Sequence, residues 1–137
     1  MRVHRSVRAL MFVLCLAVAL GAAPSAFAKG RPMQATFTRS SCFSWAISAT
    51  WWKKLEVRGL KVEVFTSTDQ SLGAWAWDDA AGLVSPFARS IDGSGASATM
   101  YAVVTIYAGT DPLGLFGPPP APLDSVRTST VTVDCGI

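Results

Sequence analysis

Apolar and polar residues alternate along most of the chain after position 30, with the period of two that is typical of β-strands with one buried face. Extended helical periodicity is absent. The clearest alternation lies at residues 43–51, whose predicted inner face consists of Phe43, Trp45, Ile47, Ala49 and Trp51. The same pattern predicts seven strands, at residues 34–39, 43–51, 60–65, 73–77, 84–90, 98–108 and 126–135.

Turn-forming residues separate these strands, as in the Asp92-Gly93-Ser94-Gly95 segment. Pro86 favours an edge position for the fifth strand, because proline has no backbone N–H to donate. Residues 98–108 are apolar on both faces, which favours a central strand. The pattern predicts an all-β fold, a seven-stranded antiparallel Greek-key (immunoglobulin-like) β-sandwich.

The first 28 residues have the composition of a cleaved secretion signal. Three arginines precede an uncharged apolar run at residues 9–23, and Ala26-Phe27-Ala28 supplies the small-x-small cleavage pattern. A membrane anchor is the alternative, but the run is shorter than the roughly 20 residues that a bilayer core requires. We predict a signal peptide at residues 1–28, one sandwich domain at residues 29–137, and a secreted, extracellular or periplasmic location.

Charge and composition exclude several classes of function. Without the leader, 9 basic residues balance 9 acidic ones, so general electrostatic binding of nucleic acid is not expected. The only histidine, His4, belongs to the leader, which removes histidine-based triads and metal sites. Asp78 and Asp79 are neighbours in a turn and are not placed like paired glycosidase carboxylates. We therefore predict no catalytic residue, no cofactor and no metal site.

Two cysteines, Cys42 and Cys135, remain after the leader is removed. An even count in an exported domain predicts one disulfide, here between the start of the second strand and the end of the last. In the predicted topology these two positions lie at the same end of the sandwich. Closing a loop of 93 residues stabilises a fold by roughly 4–5 kcal/mol in the chain-entropy description.

Two strands resemble those of fibronectin type III domains. Ile47-x-Ala49-x-Trp51 is similar to the second strand of that family, which ends in a core tryptophan, and Tyr101-x-Val103 is similar to its tyrosine-corner strand. The resemblance implies an immunoglobulin-like sandwich and, by analogy, a role in adhesion or binding. An end-to-end disulfide and a tryptophan-rich fourth strand are not typical of the family.

Trp75 and Trp77 fall on one face of the fourth predicted strand. Two interpretations remain open for them. On the inner face they fill the core of a small sandwich, and on the outer face they form a stacking platform for sugar rings.

Two connections carry the candidate partner-binding residues. Trp52 must point away from the face of Trp51, beside Lys53 and Lys54. The connection at residues 109–125 is long, and it contains Leu113, Leu115 and Phe116 before a proline run. These apolar residues either fold back over the end of the sandwich or form a binding loop supported by the prolines. In the predicted topology both connections emerge at the end opposite the disulfide, and Trp52 and Phe116 are expected to be exposed there.

These features predict a secreted, noncatalytic β-sandwich that serves as a protein-binding, adhesion or extracellular structural module. The alternative is a carbohydrate-binding module that uses Trp75 and Trp77. The expected partner is a protein, an extracellular structure or a carbohydrate, and the mature domain is not expected to span a membrane.

Overall fold

The structure is a computed structural model, and it describes residues 32–93 and 98–134. Every described residue belongs to one compact unit, Arg31–Ile137. The signal peptide at residues 1–28 lies outside the described residues and stays a prediction. The described ranges contain strands and no helix, and hence no helix long and apolar enough to cross a membrane.

Eight strands occur in the described ranges: β1 (Gln34–Arg39), β2 (Ser44–Thr50), β3 (Gly59–Thr66), β4 (Ser71–Asp78), β5 (Phe87–Asp92), β6 (Ala98–Tyr107), β7 (Pro122–Arg127) and β8 (Val131–Val133). They form two antiparallel sheets with the orders β1-β2-β5 and β4-β3-β6-β7, and β8 pairs with the first residues of β6. The predicted all-β class is confirmed, and the two sheets agree with a β-sandwich. β5 lies at an edge and β6 is central, as predicted.

One hydrophobic core collects alternate side chains of both sheets. Trp45 retains 2% of its surface and lies edge-on to the Phe37 and Trp75 rings, with centroids 5.8 Å away in each case. Trp51 retains 7%, so the predicted core position of both tryptophans is confirmed. The Arg39 guanidinium lies 5.6 Å from the centroid of the Trp45 ring, and its burial lowers the pKa of Arg39.

Phe43 is not part of the core, and its predicted place on the inner face of the second strand is wrong. Its side chain is 65% exposed, and β2 begins one residue later, at Ser44. The Ser41 hydroxyl accepts hydrogen bonds from the amides of Phe43 (3.3 Å) and Ser44 (3.1 Å). This local turn replaces the strand conformation that alternation alone predicts.

The last predicted strand is two strands, which changes the predicted count of seven. The break lies at Thr128, whose hydroxyl accepts a 3.0 Å hydrogen bond from the Ala102 amide. The Thr128 amide donates to the Ala102 carbonyl at 2.9 Å. A threonine side chain thus takes one acceptor position in the ladder, so that β7 and β8 pair with successive parts of β6.

Two predicted boundaries in the second half of the chain also shift. β5 runs from Phe87 to Asp92 and excludes Pro86, which has no N–H for the ladder. β7 begins at Pro122, opposite Tyr107, so the connection predicted at residues 109–125 spans only residues 108–121. Part of the predicted loop is therefore an ordinary strand at the border of the sheet.

Tyr101 does not form the tyrosine corner that the fibronectin resemblance implies. Its hydroxyl donates a 2.5 Å hydrogen bond to the Asp69 carboxylate in the turn between β3 and β4, and its ring stacks on Phe65. The Arg127 guanidinium lies 3.7 Å from the ring centroid. The hydrogen bond to Asp69 raises the pKa of Tyr101, because it favours the protonated hydroxyl. Tyr101 therefore ties the β3–β4 turn to the outer face of its sheet.

Candidate functional site

Three loops emerge at one end of the sandwich, which we call the loop end. They comprise residues 51–58, 79–86 and 108–121. The strand registers place them together, since Gly59 at the start of β3 lies opposite both Asp78 at the end of β4 and Tyr107 at the end of β6. Ala49 near the end of β2 lies opposite Phe87 at the start of β5. The predicted placement of the two candidate connections at one end is confirmed by these pairings.

The first loop, residues 51–58, contains both exposed and buried side chains. Trp52 is 38% exposed, Lys53 and Lys54 are exposed, and the Leu55 amide closes a turn on the Trp52 carbonyl at 2.9 Å. Val57 returns to the core with 1% exposure. The Val57 carbonyl accepts a 2.7 Å hydrogen bond from the Leu83 amide of the neighbouring loop, so the end of the loop next to β3 is held in place.

The third loop is fixed at its base. Pro112 is buried and lies against Gly59, where an added Cβ would stand 2.6 Å from the Gly109 carbonyl oxygen. The Asp111 amide donates a 3.0 Å hydrogen bond to the Asp78 carboxylate at the end of β4. Pro120 packs against Gly109 from the other branch of the loop. The loop therefore leaves the sheet in a defined direction.

The outermost part of this loop, Leu115 and Phe116, is called here the apolar tip. The Asp111 carboxylate accepts hydrogen bonds from the amides of Leu115 (2.8 Å) and Phe116 (3.0 Å), and the Asp111 carbonyl accepts one from Gly114 (3.0 Å). Leu115 is 73% exposed and Phe116 is 94% exposed. A single carboxylate thus organises the backbone while the two side chains point into water.

The two interpretations of the loop each hold for part of it. Pro112 folds back over the sheet, and Leu113, at 39% exposure, lines a groove of about 390 Å³ with the loop prolines, Lys61 and Glu63. Leu115 and Phe116 do not fold back. The predicted exposure of Trp52 and Phe116 is confirmed, and within residues 32–93 and 98–134 the two rings do not stack on each other.

Trp75 and Trp77 face the interior. They lie opposite the buried residues Val62 and Leu60 and are themselves half-buried. Trp75 packs edge-on against Trp45, and Trp77 packs edge-on against Phe87 with centroids 5.6 Å apart. A sugar platform needs exposed ring faces, whereas these half-buried rings pack against aromatic side chains of the other sheet. Their geometry therefore supports the core interpretation over the carbohydrate platform.

Sequence reasoning missed Asp111, the residue that organises the tip. Its signal was local: an aspartate before Pro112, followed by a glycine three residues on, is typical of a turn in which the carboxylate accepts backbone hydrogen bonds. Asp111 has a φ of 62°, a conformation that aspartate tolerates better than most residues.

Within residues 32–93 and 98–134, no three histidine, cysteine or acidic side chains are grouped so as to hold a metal ion. Cys42 is disulfide-bonded, but Cys135 lies outside the described ranges, so the pairing of these two residues stays a prediction.

No known protein family, curated protein or solved structure matches the chain.

Proposed function

We propose that the chain is an exported, noncatalytic β-sandwich that binds a protein partner, or a component of an extracellular structure, through its loop end. The observation that carries this proposal is the apolar tip, where Phe116 is 94% exposed although its backbone is tied to Asp111. Exposed apolar side chains favour aggregation, so a loop built to present them suggests a use. A loop already held in one conformation also loses less entropy on binding.

The loop end as a whole carries side chains suited to a binding surface. Trp52, Leu113 and Phe116 are apolar groups with substantial exposure, and Lys53 and Lys54 supply positive charge beside Trp52. Aromatic anchors in the centre of an interface typically supply most of the binding energy, and charges at its rim mainly raise the association rate. The proposed partner surface has an apolar recess for Phe116 and acidic groups near the two lysines.

The finer description of the fold belongs to the same proposal. β7 and β8 pair with successive parts of β6, so they correspond to one interrupted last strand of a seven-stranded, Greek-key, immunoglobulin-like sandwich. Export through a signal peptide at residues 1–28 and a disulfide between Cys42 and Cys135 complete the proposal. The disulfide would close the end of the sandwich opposite the loop end.

Paired variants test the loop end. Immobilised wild-type protein, Trp52→Ala/Phe116→Ala and Phe43→Ala are exposed to extracellular and cell-surface proteins of the source organism, and captured proteins are quantified by mass spectrometry. Phe43 is a matched control because it is an exposed aromatic residue at the opposite end. We expect a partner that the wild type and Phe43→Ala capture equally and that the double variant captures at least about tenfold less.

The melting temperatures of the three proteins separate binding from folding. Equal melting temperatures show that lost capture reflects a lost surface. If the double variant captures every protein as well as the wild type does, the loop end is not the binding surface.

A further inference from the structure

β4 forms one edge of the five-stranded sheet, and no strand in the described ranges pairs with its outer side. From Ser71 to Trp77 it contains neither a charged residue nor a proline. The edge strand β5 of the other sheet differs, because Pro86 directly precedes it and Arg89 lies within it. Charged residues and prolines are the usual means by which edge strands avoid pairing with another chain. β4 lacks both.

The outer face next to this edge carries an ordered pair of opposite charges. In the register of β3 and β4, Lys61 lies opposite Ala76 and Glu63 lies opposite Ala74. The two alanines place only methyl groups between the charged residues and the edge. Each charge therefore lies one strand inside an edge that offers no bulky side chain on this face.

We propose that β4 pairs antiparallel with β4 of a second copy of this chain, about a two-fold axis at Trp75. In this register Ala76 lies opposite Ala74 of the second copy, so Lys61 falls in one cross-strand row with Glu63 of the second copy. The Cα atoms of these two residues are then about 14 Å apart, at the usual spacing between strands. Long side chains that lean toward each other over two alanines bring their charges well within a Debye length.

Charge complementarity selects this register over its neighbours. An axis at Ala74 would place Glu63 in line with Glu63 of the second copy, and an axis at Ala76 would do the same with the two Lys61 residues. Both alternatives align like charges. Of these three axes, the one at Trp75 pairs opposite charges, and the symmetry forms that pair twice.

On the inner face the same register places Trp77 opposite Gly73 of the second copy. The Trp75 indole lies over Gly73 of its own chain, where an added Cβ would stand 3.0 Å from the ring, so Trp77 would meet that indole. Gly73 has a φ of 149°, which disfavours any larger residue there. Trp75 falls opposite Trp75 of the second copy. Pairing would thereby cover the half-buried edges of Trp75 and Trp77 that the single sandwich leaves open.

Analytical ultracentrifugation with charge reversal tests the proposal. We expect the wild type to dimerise below about 1 mM in low salt, and Lys61→Glu and Glu63→Lys each to weaken the dimer by about tenfold or more. The double variant Lys61→Glu/Glu63→Lys restores opposite charges in every row, so its dissociation constant should return to within about threefold of the wild type. Lys54→Glu makes the same charge change in the loop 51–58 and should have no such effect.

Salt dependence supplies a measurement that needs no variant. Raising the salt concentration from about 0.05 M to about 0.5 M should weaken the wild-type dimer, because the aligned charges become screened. A wild type that stays monomeric up to about 1 mM overturns the proposal, as does a double variant no stronger than the single ones. A dimer that responds to neither salt nor the reversals also overturns it.

Discussion

The aromatic residues of the interior and those of the loop end differ in exposure and in the contacts that hold them. Trp45 retains 2% of its surface and touches the rings of Phe37 and Trp75, while Phe116 retains 94% and belongs to no ring pair in the described part of the chain. Both kinds of residue lie on backbone that is held by hydrogen bonds. The interior rings are fixed by one another, whereas the Phe116 backbone is fixed by the carboxylate of Asp111.

This comparison distinguishes residues that stabilise the fold from residues that the fold holds exposed at its surface. The burial of a large apolar side chain contributes about 1.5–3 kcal/mol to folding, and an exposed one contributes almost nothing. A residue such as Phe116 therefore makes little contribution to the fold, and its position needs another explanation. Substitutions at both kinds of residue test this distinction, and the expected loss of stability decreases from the interior to the surface.

Replacement of Trp45 by Ala should have the largest effect. It removes the ring that joins β1, β2 and β4, and it leaves a cavity in the middle of the core. We expect the free energy of unfolding to fall by about 3–5 kcal/mol. Urea denaturation of both proteins measures the difference.

Trp45→Phe provides the control, because it keeps an aromatic ring and should recover a large part of the loss. A loss below about 1 kcal/mol for Trp45→Ala would show that the two sheets do not depend on this ring, which contradicts the contrast drawn above.

Trp75 lies between the two extremes, since it packs on Trp45 but remains half-buried. Replacement by Ala should therefore lower the free energy of unfolding by about 2 kcal/mol, less than the loss at Trp45. Binding of soluble polysaccharides, followed by isothermal titration calorimetry, should be absent in both wild type and variant. Wild-type binding that Trp75→Ala abolishes would instead revive the carbohydrate platform.

The sequence predicts most of the fold because alternation is enforced by burial. Residues such as Ile47 and Val62 must face the core, and their neighbours on the same strand must face water. The position of each strand and the face that each residue occupies can therefore be predicted from the sequence. The exceptions share a cause. At Phe43 and Thr128 a hydroxyl group satisfies backbone amides, and this local hydrogen bonding overrides the apolar pattern.

The sequence predicts only part of the candidate site. An exposed Trp52 follows from its position next to Trp51, because consecutive residues leaving a strand point in opposite directions. The fate of Leu113, Leu115 and Phe116 could not be read from their apolar character. It depends on which nearby amides the Asp111 carboxylate reaches, and on the contact of Pro112 with Gly59, which is far away in the chain.

Replacement of Asp111 by Ala should have a smaller and more local effect. The change removes the acceptor of the Leu115 and Phe116 amides and places an alanine at a positive φ. We expect a loss of about 1 kcal/mol in the free energy of unfolding. Hydrogen exchange at the two amides should accelerate, while exchange in β3 and β6 stays close to that of the wild type.

Asp111→Asn is the matched variant, since asparagine tolerates a positive φ and keeps one oxygen acceptor. It should fall between the wild type and Asp111→Ala in both measurements. Equal exchange rates in all three proteins would show that the tip is held by other contacts, such as those of its prolines.

Replacement of Phe116 by Ala should change stability least of all. The ring is 94% exposed, so its removal takes away almost no buried surface, and we expect the free energy of unfolding to stay within about 0.5 kcal/mol of the wild type. Solubility should move in the other direction, because a large apolar group leaves the surface: the ammonium sulfate concentration that precipitates the protein should rise. Phe43→Ala, at the opposite end, should show the same two changes, since Phe43 is 65% exposed.

The two variants should differ in partner binding, which Phe116→Ala should weaken and Phe43→Ala should not. A loss of more than about 1 kcal/mol in Phe116→Ala would mean that the ring packs against the domain in solution, and the loop end would then contribute to the core and not to recognition.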